Sequence, residues 1–149
     1  MILSRFPVLI VEDDMRMFDR MQRNLHFHAT NCNLPIQVHH TVSVVGAKQK
    51  AEESKPLVVS VDMNFFMRLG DARTREDAGL LVLNWLSRSH PHTKTLVYSG
   101  EEIATTKKTL LTARQLYPNE TFLPLVFQKS HAISDDQWSR TLLDLLMSR

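Results

Sequence analysis

At 149 residues the chain has the length of one domain, and a domain of that size buries roughly 70% of its unfolded surface without a covalent staple. Eighteen basic against sixteen acidic residues leave a formal charge of +2, too close to balance to imply a nucleic-acid or membrane surface. A single cysteine, Cys32, leaves no internal disulfide and suits a reducing compartment.

At the amino terminus Arg5 and Pro7 interrupt the segment, and the apolar run Val8-Leu9-Ile10-Val11 meets three acids, so no signal peptide is expected. No run approaches the ~20 apolar residues of a membrane span. The expectation is one soluble, cytoplasmic domain over residues 1–149.

The first strand, Val8-Leu9-Ile10-Val11, ends in Glu12-Asp13-Asp14. Met15, Phe18, Met21, Gln22 and Leu25 then recur at helical spacing, which predicts a helix from about Asp14 to Phe27. Ile36 to Thr41 alternates weakly as a second strand, and Ser43 can cap a second helix through about Glu53. Leu57-Val58-Val59-Ser60-Val61 reads as a strand buried on both faces, which delivers Asp62 to the carboxyl edge of a parallel sheet. Residues 65–77 carry both signs of charge without a clear period and read as a long solvated loop, with Arg68, Arg73 and Arg75 candidates to cover an anion.

A third helix follows from about Ala78 to Ser89, and Thr95-Leu96-Val97-Tyr98-Ser99 is the fourth strand. The fourth helix is predicted from about Glu102 to Leu116, with Lys107 and Lys108 on a solvated face or a partner surface. Leu125-Val126-Phe127-Gln128 is the fifth strand and runs into Lys129; Pro124 cannot donate to a ladder, so this strand belongs at a sheet edge or begins after the proline. Ser134-Asp135-Asp136-Gln137 has the form of a capping box before an amphipathic last helix. The repeated β-α pattern calls for an α/β fold: a parallel sheet with helices on both faces and right-handed crossovers.

Four strands thus end in Glu12-Asp13, Asp62, Ser99 and Lys129, at the edge where open α/β sheets bind ligands. Three gathered carboxylates repel, each pair by about 4 kcal/mol at 4 Å for an effective dielectric of 20. Lys129 can neutralise one charge and a hard divalent cation two. Mg2+ suits such a site because it accepts a few carboxylates, keeps waters and bridges to phosphate oxygens. An ionised Asp62 beside that cation is a nucleophile for in-line attack on a phosphoryl group, with Ser99 and Lys129 placed for the phosphate oxygens. The histidines at 26 and 28, 39 and 40, and 90 and 92 have no shared helix face and no cysteine partner, and read as surface residues.

Val8 to Asp14, Val61-Asp62-Met63-Asn64, Leu96 to Gly100 and Phe127-Gln128-Lys129-Ser130 resemble, in order and spacing, the receiver domains of two-component response regulators. The resemblance runs from about Val8 to Met147. It implies a flavodoxin-like five-stranded parallel sheet of order 2-1-3-4-5, for which a member of this family is a standard example. It also implies that Asp62 is the phospho-acceptor, Ser99 the switch hydroxyl and Lys129 the phosphate-pairing lysine. Mg2+ would be held by Asp13 and Asp62, with Glu12 in the acidic pair and the Asn64 backbone carbonyl as a further ligand. The implied partners are a sensor histidine kinase or phosphotransfer protein and a downstream effector, with a homodimer through the fourth helix, fifth strand and fifth helix. Nucleic acid and membrane are not among them.

Ser130 stands where the family usually has proline, and a trans peptide is expected before it. Val126 stands at the usual switch-aromatic position, with Phe127 facing the other side of the strand. Phe66 replaces a common proline, and Gly79 corresponds to a family glycine that a longer loop has moved away from the acceptor. A pseudo-receiver that binds partners without phosphate is the alternative reading.

Overall fold

The apolar runs pair as the sequence pattern requires. The computed structural model describes residues 4–130 and 132–148. In chain order the elements are β1 (Phe6–Val11), α1 (Met15–Asn31), β2 (Ile36–Thr41), α2 (Val44–Ser54), β3 (Val58–Val61) and α3 (Ala78–Ser89). They continue with β4 (Lys94–Ser99), α4 (Ile103–Leu111), a 3-10 turn (Glu120–Phe122), β5 (Leu125–Gln128) and α5 (Ala132–Met147). All strand pairs are parallel, and the sheet order is β2-β1-β3-β4-β5. β5 is an edge strand beginning just after Pro124, where the missing N–H costs no ladder bond.

Strand alternation divides the core in two. Leu9, Val11, Val59, Val61 and Val97 face Val44, Ala47 and Ala51 of α2, Val82, Leu83 and Leu86 of α3 and Leu110 of α4. Val8, Ile10, Val58, Leu96 and Tyr98 face Met21, Leu25 and Ala29 of α1 and Trp138, Leu142 and Leu146 of α5. Both faces of the central strands are therefore covered, which is why they read as largely apolar runs, with Ser60 the buried polar exception in β3.

Four expectations change. α1 continues past Phe27 to Asn31, because Ala29 extends the buried row of Met21 and Leu25 by one turn. It closes with Asn33 at φ 54°, the Leu34 N–H on the Ala29 carbonyl (2.9 Å) and the Asn33 N–H on that of Thr30 (3.1 Å), a Schellman end that asparagine can adopt. α4 stops at Leu111, not Leu116: the Thr112 N–H turns back to the Thr109 carbonyl, and the chain then folds Tyr117 into the core. α5 begins at Ala132, so Ser134 and Asp135 lie inside it and are buried, with Asp135 drawn to Arg20 and Tyr98. The capping box is thus not used as one; His131, next to that helix start, lies outside the described residues.

The fourth change concerns residues 65–77. Phe65 is fully buried, and the Phe66 and Met67 carbonyls accept the Val44 and Val45 N–H groups at 2.9 and 3.0 Å. The loop's first part supplies acceptors to the open first turn of α2, whose Gly46 N–H is capped by Ser43. Only residues 68–76 are an exposed excursion.

Candidate functional site

Register brings the strand ends level. Val11 pairs with Val61, Val61 with Val97, and Ser99 with Gln128. The ladder continues beyond the strands: the Asp62 N–H donates to the Val11 carbonyl (3.2 Å) and the Lys129 N–H to the Ser99 carbonyl (2.8 Å). Glu12, Asp13, Asp62, Ser99 and Lys129 accordingly line one cavity of about 430 Å³. Side-chain oxygens of Glu12, Asp13 and Asp62 lie within 4.8 Å of one another.

Lys129 is the clamp at its centre. Its ammonium donates to Asp62 Oδ2 at 2.8 Å and to Glu12 Oε1. The Met63 N–H holds the other oxygen of Asp62 at 2.7 Å, so the carboxylate is fixed at both ends. Glu12 is 1% exposed, and its second oxygen accepts the Asp14 N–H at 3.1 Å. Burial, with a smaller push from Asp62, raises its carboxyl to about 7 against the pull of Lys129. Burial alone would lower the Lys129 pKa, but the charges of Asp62 and Glu12 and their hydrogen bonds raise it. The lysine therefore stays an ammonium.

Ser99 is buried, and its Oγ accepts the Glu101 N–H at 3.2 Å. Asn64 lines the same cavity, with its side-chain amide donating to Glu101 Oε1 at 3.1 Å. Asp14 turns away to cap α1, accepting the Arg16 and Met17 N–H groups.

Some contributors carried no sequence signal. Glu101 reaches the mouth only because the chain turns after Ser99, and the Met63 N–H is a backbone group. Gly79 had a weak signal: its N–H donates to the Met63 carbonyl at 3.0 Å, and a Cβ there would stand 2.5 Å from the Asp62 carbonyl oxygen. The close approach of α3 to the acceptor strand thus requires glycine. Arg68, Arg73 and Arg75 do not line the cavity, and Arg75 pairs with Asp77 at 2.8 Å. His28 and His90 each contact a carboxylate, while His40 stacks on Phe18 and bonds the Glu12 backbone carbonyl. Among the described residues no histidine joins a metal-ligand cluster.

The donor set fits a hard divalent cation. Five carboxylates line the cavity and Lys129 is the one cationic side chain there among the described residues. All candidate ligands are oxygens, the preference of Mg2+.

No protein-family model and no curated protein matches the sequence. Solved structures do match. A CheY-like response regulator receiver domain protein from Methanospirillum hungatei is 16% identical, with 98% of this chain and 100% of that one covered and a TM-score of 0.67. The receiver domain of NtrX from Brucella abortus is also 16% identical, covering 95% and 99% of the two chains, again with a TM-score of 0.67. This chain has the receiver-domain fold. Similar too is the phosphorylated cyanobacterial phytochrome response regulator RcpA, at 16% identity, 97% and 96% coverage and a TM-score of 0.67. No helix of the described residues is long and apolar enough to cross a membrane.

Proposed function

We propose that this receiver-fold chain is a phospho-accepting response-regulator receiver. Asp62 would take a phosphoryl group from the phosphohistidine of a sensor histidine kinase or phosphotransfer protein in the cytoplasm and pass a conformational signal to an effector. The observation that carries this reading is the cluster itself: Asp62 bonded to Lys129 at 2.8 Å, with Glu12 and Asp13 carboxylates beside it in an open cavity. A cluster meant only to stabilise the fold would gain little from placing three carboxylates around one ammonium.

One carboxylate oxygen of Asp62 attacks phosphorus while the bond from phosphorus to the donor nitrogen breaks, and the electron pair leaves with the imidazole. Asp13, Glu12 and Asp62 would hold Mg2+, joined by the Asn64 backbone carbonyl. When bound, that ion offsets charge on the transferring oxygens. Lys129 remains to neutralise one phosphate oxygen, and Ser99 can donate to another. A hydrogen bond to a charged group is worth about 1.5 to 3 kcal/mol, whereas a reversal from 1:99 to 99:1 needs about 5.5 kcal/mol. Ser99 therefore acts together with Lys129 and loop movement. Exposed Ile103, Phe122, Leu125 and Ile133 support a homodimer surface on the α4-β5-α5 side.

Titration with Mg2+ and beryllofluoride, followed by Trp85 and Trp138 fluorescence, tests the proposal. A saturable response that requires Mg2+ is expected. No response would favour a pseudo-receiver that docks partners irrespective of phosphate.

A further inference from the structure

Beneath the candidate site, on the α1/α5 side of the sheet, runs a chain of polar contacts that the phosphoryl chemistry does not use. Trp138 Nε1 donates to Ser60 Oγ at 2.9 Å, and the Trp138 ring stacks on Tyr98 with centroids 5.5 Å apart. The Tyr98 hydroxyl donates to Asp135 Oδ1 at 2.6 Å, and Arg20 Nε pairs with Asp135 Oδ2 at 2.6 Å. Burial raises the Tyr98 pKa well above its usual value, so this hydroxyl stays a donor. The Asp135 side chain is 2% exposed and the Arg20 side chain 49% exposed. The row thus begins two residues before Asp62 and ends at solvent on α1.

We propose that Tyr98 and Asp135 form a transmission pair that carries occupancy of the Asp62 pocket to the α1/α5 face, with Arg20 as its solvent-facing end. The inference rests on the phospho-acceptor reading. Its geometry is that of adjacent residues on one strand. Ser99 lines the cavity while Tyr98, one residue earlier, points into the opposite core, because successive side chains alternate across a sheet. Any movement of the β4 end that brings Ser99 onto a phosphate oxygen must also move the ring of Tyr98. The hydroxyl of that ring is held by a buried carboxylate in the first turn of α5, whose preceding residues include Lys129. A displacement therefore alters the Asp135–Arg20 pair instead of dissipating in apolar packing.

β5 offers no comparable route. Val126 has no polar atom in its side chain, and Phe127 packs into the α1/α5 cluster. Tyr98 is the aromatic next to the site that has a hydroxyl to transmit with.

Beryllofluoride with Mg2+ serves as the probe. 19F NMR reports occupancy of the pocket, and the 15N-labelled Nε–Hε resonance of Arg20 reports the ion pair. In the native chain, bound fluorine signals and a shifted Arg20 resonance should appear together. Tyr98→Phe should keep the bound fluorine signals and lose the Arg20 shift. An equal shift in Tyr98→Phe, or occupancy without any shift in the native chain, overturns the proposal. If Tyr98→Phe loses its dispersed amide spectrum, Asp135→Asn must keep the bound fluorine signals and lose the shift of the Arg20 Nε–Hε resonance, and a native-like Arg20 shift there overturns it. No bound fluorine signal in the native chain would sink the phospho-acceptor reading first, and this inference with it.

Discussion

Lys129→Met isolates the electrostatics of the site. In the native chain the ammonium contacts both Glu12 and Asp62, and all three side chains are at most 11% exposed. Methionine keeps much of the stem volume and removes the charge, leaving Glu12, Asp62 and Asp13 together. Removing one partner of a buried ion pair costs about 3 to 5 kcal/mol, a large part of the roughly 5 to 15 kcal/mol that holds a domain together. Part of that loss is recovered by proton uptake on Glu12, whose carboxyl pKa burial already raises, so the defect should shrink as pH falls. It should also shrink with Mg2+, because a dication replaces the missing charge and no longer competes with a lysine. Urea unfolding of both chains, in EDTA and in Mg2+, measures this. The variant should be less stable by about 3 kcal/mol or more in EDTA and gain more from Mg2+ than the native chain does. Equal stabilities in EDTA, or an identical Mg2+ increment in both chains, would refute the reasoning.

The raised Glu12 pKa gives a pH dependence of unusual sign for a carboxylate. Between the ordinary 4.5 and about 7, folded Glu12 holds a proton that the unfolded chain has released, so metal-free stability should fall as pH rises through that interval, by an amount on the order of 3 kcal/mol. Glu12→Gln should flatten this part of the stability curve, and a native curve that is already flat would contradict the assignment. Mg2+, which needs the ionised carboxylate, should bind more tightly as pH rises through the same range, as calorimetry can measure. Gly79→Ala should destabilise the chain by about 1 to 3 kcal/mol, the usual cost of overpacking, because its Cβ would meet the Asp62 carbonyl oxygen at 2.5 Å. An unchanged denaturation midpoint would show that α3 can back away from the acceptor strand.

The parts of the site that were legible in the sequence are those that depend on strand ends. An apolar run that stops at a charged or hydroxyl residue fixes where its side chain emerges, and parallel register brings Glu12, Asp62, Ser99 and Lys129 together without further information. The edge position of β5 was legible for the same kind of reason, through the missing N–H of Pro124. Helix ends were less so, since they depend on contacts distant in sequence. α1 runs on because Ala29 finds the core, and Ser134 is no cap because Asp135 is drawn into a buried pair with Arg20, 115 residues away. The anchoring of residues 66 and 67 against α2 was not legible, because the acceptors that α2 uses there are backbone carbonyls, which no residue type announces. The Tyr98–Asp135 bond was invisible for another reason: tyrosine in a strand reads as core, and only the fold brings its hydroxyl to a buried carboxylate.

Intact-mass measurement after incubation with acetyl phosphate, with and without Mg2+, tests the central claim most directly. The native chain should gain the mass of one phosphoryl group only when Mg2+ is present, and Asp62→Asn should gain none. The same increment in Asp62→Asn, or none in the native chain with Mg2+, would contradict the assignment of Asp62 as the acceptor.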